Sequence, residues 1–182
     1  MGERRRVVID IDADRGYFKL RDLNRDEIIY LFDENYKRTV QFDLYGQQAV
    51  WLVRPPGVKE SAEHFLLVKF IEDYLEDNYR FPVWTYRTKM PDIIFEVKNR
   101  KIAIEIETGK NLRNNRKQFL EKAAWLDENF GDNWFFVVTN RNLVKKYKRC
   151  GRTFTRKNAI RGIERYVKIK TYSYMQKSRF FR

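Results

Sequence analysis

Cysteine and histidine each occur once in the 182 residues, as Cys150 and His64. A single cysteine excludes an intramolecular disulfide and a Cys-rich zinc site, and a single histidine leaves no pair of ligands for a His-based metal centre. A Ser-His or Cys-His hydrolase is equally disfavoured. Cys150 is flanked by Lys148, Arg149 and Arg152, but without a base partner it reads as incidental. Glycine (8) and proline (4) are scarce while hydrophobic residues reach 43%, so the composition is that of a folded chain rather than a disordered or low-complexity one. No segment approaches the roughly 20 apolar residues of a spanning helix, and Val7-Val8-Ile9 is too short for a signal-peptide core. A cytoplasmic protein without a membrane partner is the expectation.

Acidic residues are almost missing from one region. Residues 1–140 are nearly charge-balanced, whereas residues 141–182 carry 15 basic side chains against the single acid Glu164. The whole net charge of +13 therefore comes from the last 42 residues. Such a block suits a polyanion, because each Lys or Arg that meets a phosphate releases condensed counterions. The candidate phosphate contacts are Lys145, Lys146, Lys148, Arg149, Arg152, Arg156, Lys157 and Arg161. Tyr147, Phe154 and Tyr166 are interleaved with them, and could stack on unpaired bases or belong to the core. A solvated basic tail is the plain alternative.

Arg54-Pro55-Pro56-Gly57 is the one strong punctuation mark, and separates a unit of residues 1–55 from a main domain of residues 56–172, followed by a basic aromatic tail, 173–182. In the first unit Val7–Ile11 reads as a strand, Asn24 as a helix cap, and Thr39–Leu44 with Ala49–Val53 as a hairpin turning at Tyr45-Gly46-Gln47. That order fits a winged-helix module or an extension of the main sheet, the second being preferred for want of a basic reading helix. Ser61 caps a predicted helix reaching about Asn78. Strands are predicted at Val83–Tyr86, Ile93–Val97, Ile102–Glu107 and Trp134–Thr139, with a helix of about 18 residues from Leu112 to Phe130, then a helix near Lys157–Tyr166 and a last strand, Val167–Tyr172.

The chemistry concentrates in Pro91–Lys110. Alternation along Ile102–Glu107 sends Ile102, Ile104 and Ile106 to one face and Ala103, Glu105 and Glu107 to the other. Two carboxylates on one face of a core strand repel each other and resist burial unless something positive sits between them. The preceding strand begins at Asp92 and is joined by a short hairpin, so Asp92 should approach Glu105. With the Ile106 carbonyl these acids form an oxygen-rich site suited to Mg²⁺ or Mn²⁺ rather than zinc. The plainer alternatives are surface acids paired with Arg100 or Lys101, and a turn at Pro91-Asp92.

Pro91-Asp92, twelve residues, then Glu105-Ile106-Glu107 resembles the motif of the PD-(D/E)XK nucleases, the restriction-endonuclease-like superfamily, with Glu107 standing where the family usually has Lys. The likeness covers roughly residues 58–140. It implies an α/β fold, a restriction-endonuclease-like mixed sheet flanked by helices, here with a small α+β N-terminal addition. It further implies a metal-dependent phosphodiesterase acting on DNA, for a mobile element or in repair and recombination. Asp92, Glu105 and the Ile106 carbonyl would hold the metal, with Glu107 or Lys110 managing the attacking water. Glu63, or failing it Glu60, would be the acid that the upstream helix often adds, and Gln118 falls where some branches carry Gln. RNA as substrate, pairing of two copies, and a nuclease-like module without catalysis stay open. Asp10, Asp12 and Asp14 also suggest a calcium loop or an RNase H-like first strand, but Gly16 falls one place late and Arg21 replaces the bidentate acid.

Overall fold

A computed structural model describes residues 9, 11–54, 60–86 and 90–177. The main sheet has five strands in the order β4 (Val83–Thr85), β5 (Ile93–Val97), β6 (Arg100–Glu107), β7 (Trp134–Val138) and β8 (Thr153–Thr155). It is mixed: β4, β5 and β6 run antiparallel in succession, and β6, β7 and β8 are parallel. The β5–β6 hairpin closes through Lys98 and Asn99, both left-handed with φ of 50° and 61°. That pair of positive φ values matches the twist of antiparallel strands and fixes their register, Ile93 opposite Ile104.

Both faces of the sheet are covered, which makes the chain an α/β protein. On one side α2 (Ala62–Tyr79) and α6 (Ala159–Lys177) bury Leu67, Ile71, Leu75 and Ile163 against Ile93, Phe95, Ile102, Ile104 and Ile106. On the other, α4 (Arg116–Phe130) lays Phe119, Ala123 and Leu126 on Ala103, Phe136 and Val138. The caps are local. Ser61 Oγ accepts from the His64 N–H at 3.3 Å to start α2, and Asn115 heads α4 by accepting from the Gln118 N–H. The expected single helix over Leu112–Phe130 is broken there: Asn115 has a non-helical φ of −147°, and α3 (Lys110–Asn114) precedes it as a separate turn of helix.

The N-terminal residues build their own α+β addition. Its sheet is antiparallel, in the order β1 (Tyr17–Lys19), β3 (Gln48–Val53) and β2 (Lys37–Phe42). It is therefore no continuation of the main sheet, contrary to the preferred sequence reading. Helix α1 (Arg25–Asp33) starts with a capping box, Asn24 accepting from Asp26 and Glu27 while Glu27 Oε2 accepts from the Asn24 N–H at 2.8 Å. Tyr17, Trp51 and Val53 pack on Phe65 and Leu66, so α2 serves the cores of both sheets. The strand expected at Val7–Ile11 lies mostly outside the described residues, and Ile11 packs from a loop. The Pro55-Pro56-Gly57 boundary is also outside them.

The C-terminal prediction needs the largest correction. Val167–Tyr172 is not a strand but part of α6, which runs on to Lys177 and so takes in the first residues of the expected tail. The last strand is instead Thr153–Thr155, three residues too short to show a period. Among the described residues no helix is long and apolar enough to cross a membrane.

Candidate functional site

The antiparallel register carries Asp92 alongside β6 just past the Ile93–Ile104 pair. There Asp92 Oδ2 accepts from the Ile106 N–H at 2.7 Å. The backbone groups of Ala103 and Glu107 bond toward β7 and its flanks, through Asn133 O and the Thr139 N–H, so those of Ile106 face the β5 side where Asp92 lies. Asp92 Oδ1 is 3.3 Å from His64 Nε2, and His64 Nδ1 is 2.9 Å from Glu60 Oε1. His64 of α2 thus links two acids. Burial works against its charge, yet the bonds to Asp92 and Glu60 outweigh that and raise its pKa to about 10.

Glu105 and Glu107 face the α4 side and are only 4% and 2% exposed. They are core carboxylates, not edge acids, and neither Arg100 nor Lys101 neutralises them: Arg100 reaches Asn133 and the Tyr166 carbonyl. The partner of Glu105 is Lys122 of α4, whose Nζ donates to Oε1 and, at 3.4 Å, to the Met90 carbonyl. The other oxygen, Glu105 Oε2, is buried without a hydrogen-bond partner among the described residues. Burial first, then the Asp92 charge, pushes the Glu105 carboxyl up to about 8 against the opposing pull of Lys122. Glu107 is also raised by burial, though Tyr147 Oη donates to its Oε2 at 3.0 Å and Asn111 Nδ2 to its Oε1 at 3.4 Å.

Beside these acids is a cleft of about 740 Å³ lined by Met90, Glu107, Asn111, Gln118, Lys122 and Trp125. Gln118, Lys122 and Trp125 recur at i, i+4 and i+7, a stripe alongside the apolar stripe that α4 buries. Asn115 Nδ2 also holds Gln118 Oε1 at 2.6 Å.

Two expected members fall elsewhere. Glu63 is paired at 2.6 Å with Arg156 Nη2, and it is Glu60 that joins Asp92 through His64. Lys110 opens α3 with an exposed side chain, so the amine that meets the acids is that of Lys122. Lys122 and Tyr147 had no local signal in the sequence, since they contact Glu105 and Glu107 across 17 and 40 residues. Asp12 caps the turn Ala13–Arg15 and Asp14 is exposed near Arg54, so these two acids belong to a turn; Asp10 lies outside the described residues.

The basic segment divides as well. Lys145, Lys146 and Lys148 on or beside α5 (Val144–Tyr147) are exposed, as are Arg149, Lys157 and Arg161. Arg156 is buried, holding Glu63 and the Phe42 carbonyl, and Arg152 bonds Asp132 O and stacks over Tyr166. Tyr147 and Tyr166 are core residues and Phe154 packs against the core. Cys150 is half-buried against the α4-side core.

No family model, curated protein or solved structure matches the chain. Among the described residues no three His, Cys, Asp or Glu side chains are grouped as a metal cage. Carboxylate and carbonyl oxygens such as those of Asp92, Glu105 and Ile106 are the hard donors that Mg²⁺ or Mn²⁺ takes.

Proposed function

We propose that the chain is a divalent-metal-dependent nuclease that hydrolyses DNA phosphodiester bonds in the cytoplasm, on a restriction-endonuclease-like core. The observation that carries the reading is Glu105: a core carboxylate beside a second acid, with one oxygen unbonded. Burying such a group costs several kcal/mol unless it is compensated, so a cluster of this kind points to chemistry rather than to stability. Asp92, Glu105 and the Ile106 carbonyl would hold the ion. When bound, Mg²⁺ or Mn²⁺ supplies Lewis-acid polarisation of the phosphate and a lowered pKa for a water.

The chain's own groups do the rest. Lys122 Nζ, in the cleft wall next to Glu105, is positioned to donate to a phosphate oxygen. Glu107, raised by burial and steadied by Tyr147 and Asn111, is the carboxylate able to take the water proton. His64 holds Asp92 in place from α2. The exposed Lys145, Lys146, Lys148 and Arg149 offer phosphate contacts without base readout. A homodimer would bring two such sites to the two strands of a duplex.

The test is cleavage of linear, supercoiled, single-stranded and junction DNA, with RNA alongside, in Mg²⁺ or Mn²⁺. Glu105→Gln and Asp92→Ala should abolish cutting and leave binding largely intact; cutting at the wild-type rate by either variant refutes the proposal.

A second reading, a nuclease-like DNA-binding or assembly module without catalysis, is favoured by one observation. Lys122 and His64 already give Glu105 and Asp92 cationic partners from within the chain. Calorimetric Mn²⁺ titration separates the two: no heat, and no dependence on Asp92, supports the module.

A further inference from the structure

Met90 and Trp125, which line the cleft at Glu107 and Lys122, also line a second cavity of about 610 Å³. Its other walls include Trp84, Tyr86, Arg100, Lys101 and Asn129. The sheet explains why it exists. Helix α4 packs on β6 and β7, so the same face of the outer strands is only partly roofed. Trp84 of β4 pairs with Ile94, which belongs to the α4-side core, and hence points to that face; the residue is 39% exposed. Lys101 Nζ lies 5.8 Å from the Trp84 ring centroid, and Trp125 meets Phe130 edge-on at 6.0 Å on the opposite wall.

We propose that this second cavity is a stacking subsite for an unpaired nucleobase of the strand whose phosphate lies in the neighbouring cleft. The inference rests on the nuclease reading and narrows its substrate to single-stranded DNA or to DNA with an unpaired nucleotide beside the scissile bond. Three features carry it. The two cavities share Met90 and Trp125 as walls. Trp84, Tyr86 and Trp125 are among its walls, and every base offers an aromatic ring a π-face. Lys101 supplies positive charge where the strand's phosphates would pass, and Asn129 gives a polar group for a base edge. A base stacked inside a duplex cannot enter such a cavity without leaving its stack, which costs a few kcal/mol and is avoided when the base is already unpaired.

The test uses the full chain in EDTA, so that nothing is cut, with fluorescein-labelled (dT)₁₂ and a labelled duplex of equal length followed by anisotropy. Wild type should prefer the single strand, with quenching of tryptophan emission on binding. Trp84→Ala should weaken single-strand binding about 10-fold, the order expected for one lost stack, with little change for duplex. Trp84→Phe should recover most of the loss, and Lys101→Gln should lower the salt slope by about one. Equal loss on both DNAs, no loss in Trp84→Ala, or no binding of (dT)₁₂ by wild type overturns the subsite. Trp84-dependent binding by a wild-type chain that cuts nothing would leave the subsite standing and refute the nuclease reading. Metal-dependent cutting with binding indifferent to Trp84 would do the reverse.

Discussion

The Tyr147 hydroxyl donates to Glu107 Oε2 at 3.0 Å, tying the short basic helix α5 to the last acid of β6. Both groups are buried, and the Tyr147 ring packs edge-on against Phe119 and Phe136. The exposed lysines of α5 are thereby set at a fixed distance from the acids.

Tyr147→Phe keeps that ring packing and removes only the donor. Hydrogen bonds to charged groups contribute about 1.5–3 kcal/mol, so a loss of about 2 kcal/mol in urea unfolding is expected, with the slope unchanged. The Glu107 carboxyl should rise further, since the bond lowers its pKa. A destabilisation under about 0.5 kcal/mol would mean that the bond is not made in solution.

Glu105 and His64 make the metal-free protein less stable as pH rises. Each has a folded pKa above its ordinary value, from 4.5 to about 8 for Glu105 and from 6.5 to about 10 for His64. Each contribution is full below the ordinary value and lost through the folded one. The fall due to Glu105 should occupy pH 4.5 to 8, and Glu105→Gln should flatten it while leaving the His64 decline between pH 6.5 and 10. Chemical denaturation at half-unit pH steps measures this. A stability that climbs between pH 5 and 8 and is unaltered by Glu105→Gln would contradict it.

Lys122 takes the place at the acids that the sequence offered to Lys110. Lys122→Met keeps the chain length and removes the charge, so the Glu105 carboxyl should move further up. Under the proposed function cleavage should fall by about 100-fold or more. Lys110→Gln, on an exposed side chain, should stay within about twofold of wild type, surface changes away from a site having small effects. Equal losses from the two variants would return the role to Lys110.

What the sequence made legible was local. The caps at Asn24 and Ser61, the existence of a hairpin after Val97 and the shared face of Glu105 and Glu107 all depend on neighbours a few residues away, although β6 starts at Arg100, two residues before the expected Ile102. The partners that define the site are non-local: Lys122 sits in a stripe one residue ahead of a buried one, and Tyr147 lies in a helix of four residues. At the C-terminus a strand-like alternation, Val167, Ile169, Thr171, was overridden by a helix already begun at Ala159 and anchored by Ile163 and Tyr166. Thr153–Thr155 became a strand because β7 supplied a parallel edge to pair with. Charge alone could not separate Arg156, buried against Glu63, from the exposed lysines of α5.

Arg156 and the α5 lysines should therefore respond differently to neutralisation. Arg156→Met breaks a largely buried pair and frees the Phe42 carbonyl. Removing one partner of a fully buried pair costs about 3–5 kcal/mol. Glu63 keeps 37% side-chain exposure, so water can take up part of its charge and a loss of about 2 kcal/mol is expected. Once the variant is folded, its DNA affinity should be little changed. Lys145→Gln with Lys146→Gln should leave stability alone and reduce the slope of log K against log salt by about two, roughly one unit for each phosphate no longer neutralised. Urea unfolding and salt-dependent anisotropy on one duplex read both effects. If Arg156→Met lowered the salt slope at unchanged stability, its guanidinium would face phosphate and the ion pair with Glu63 would be incidental.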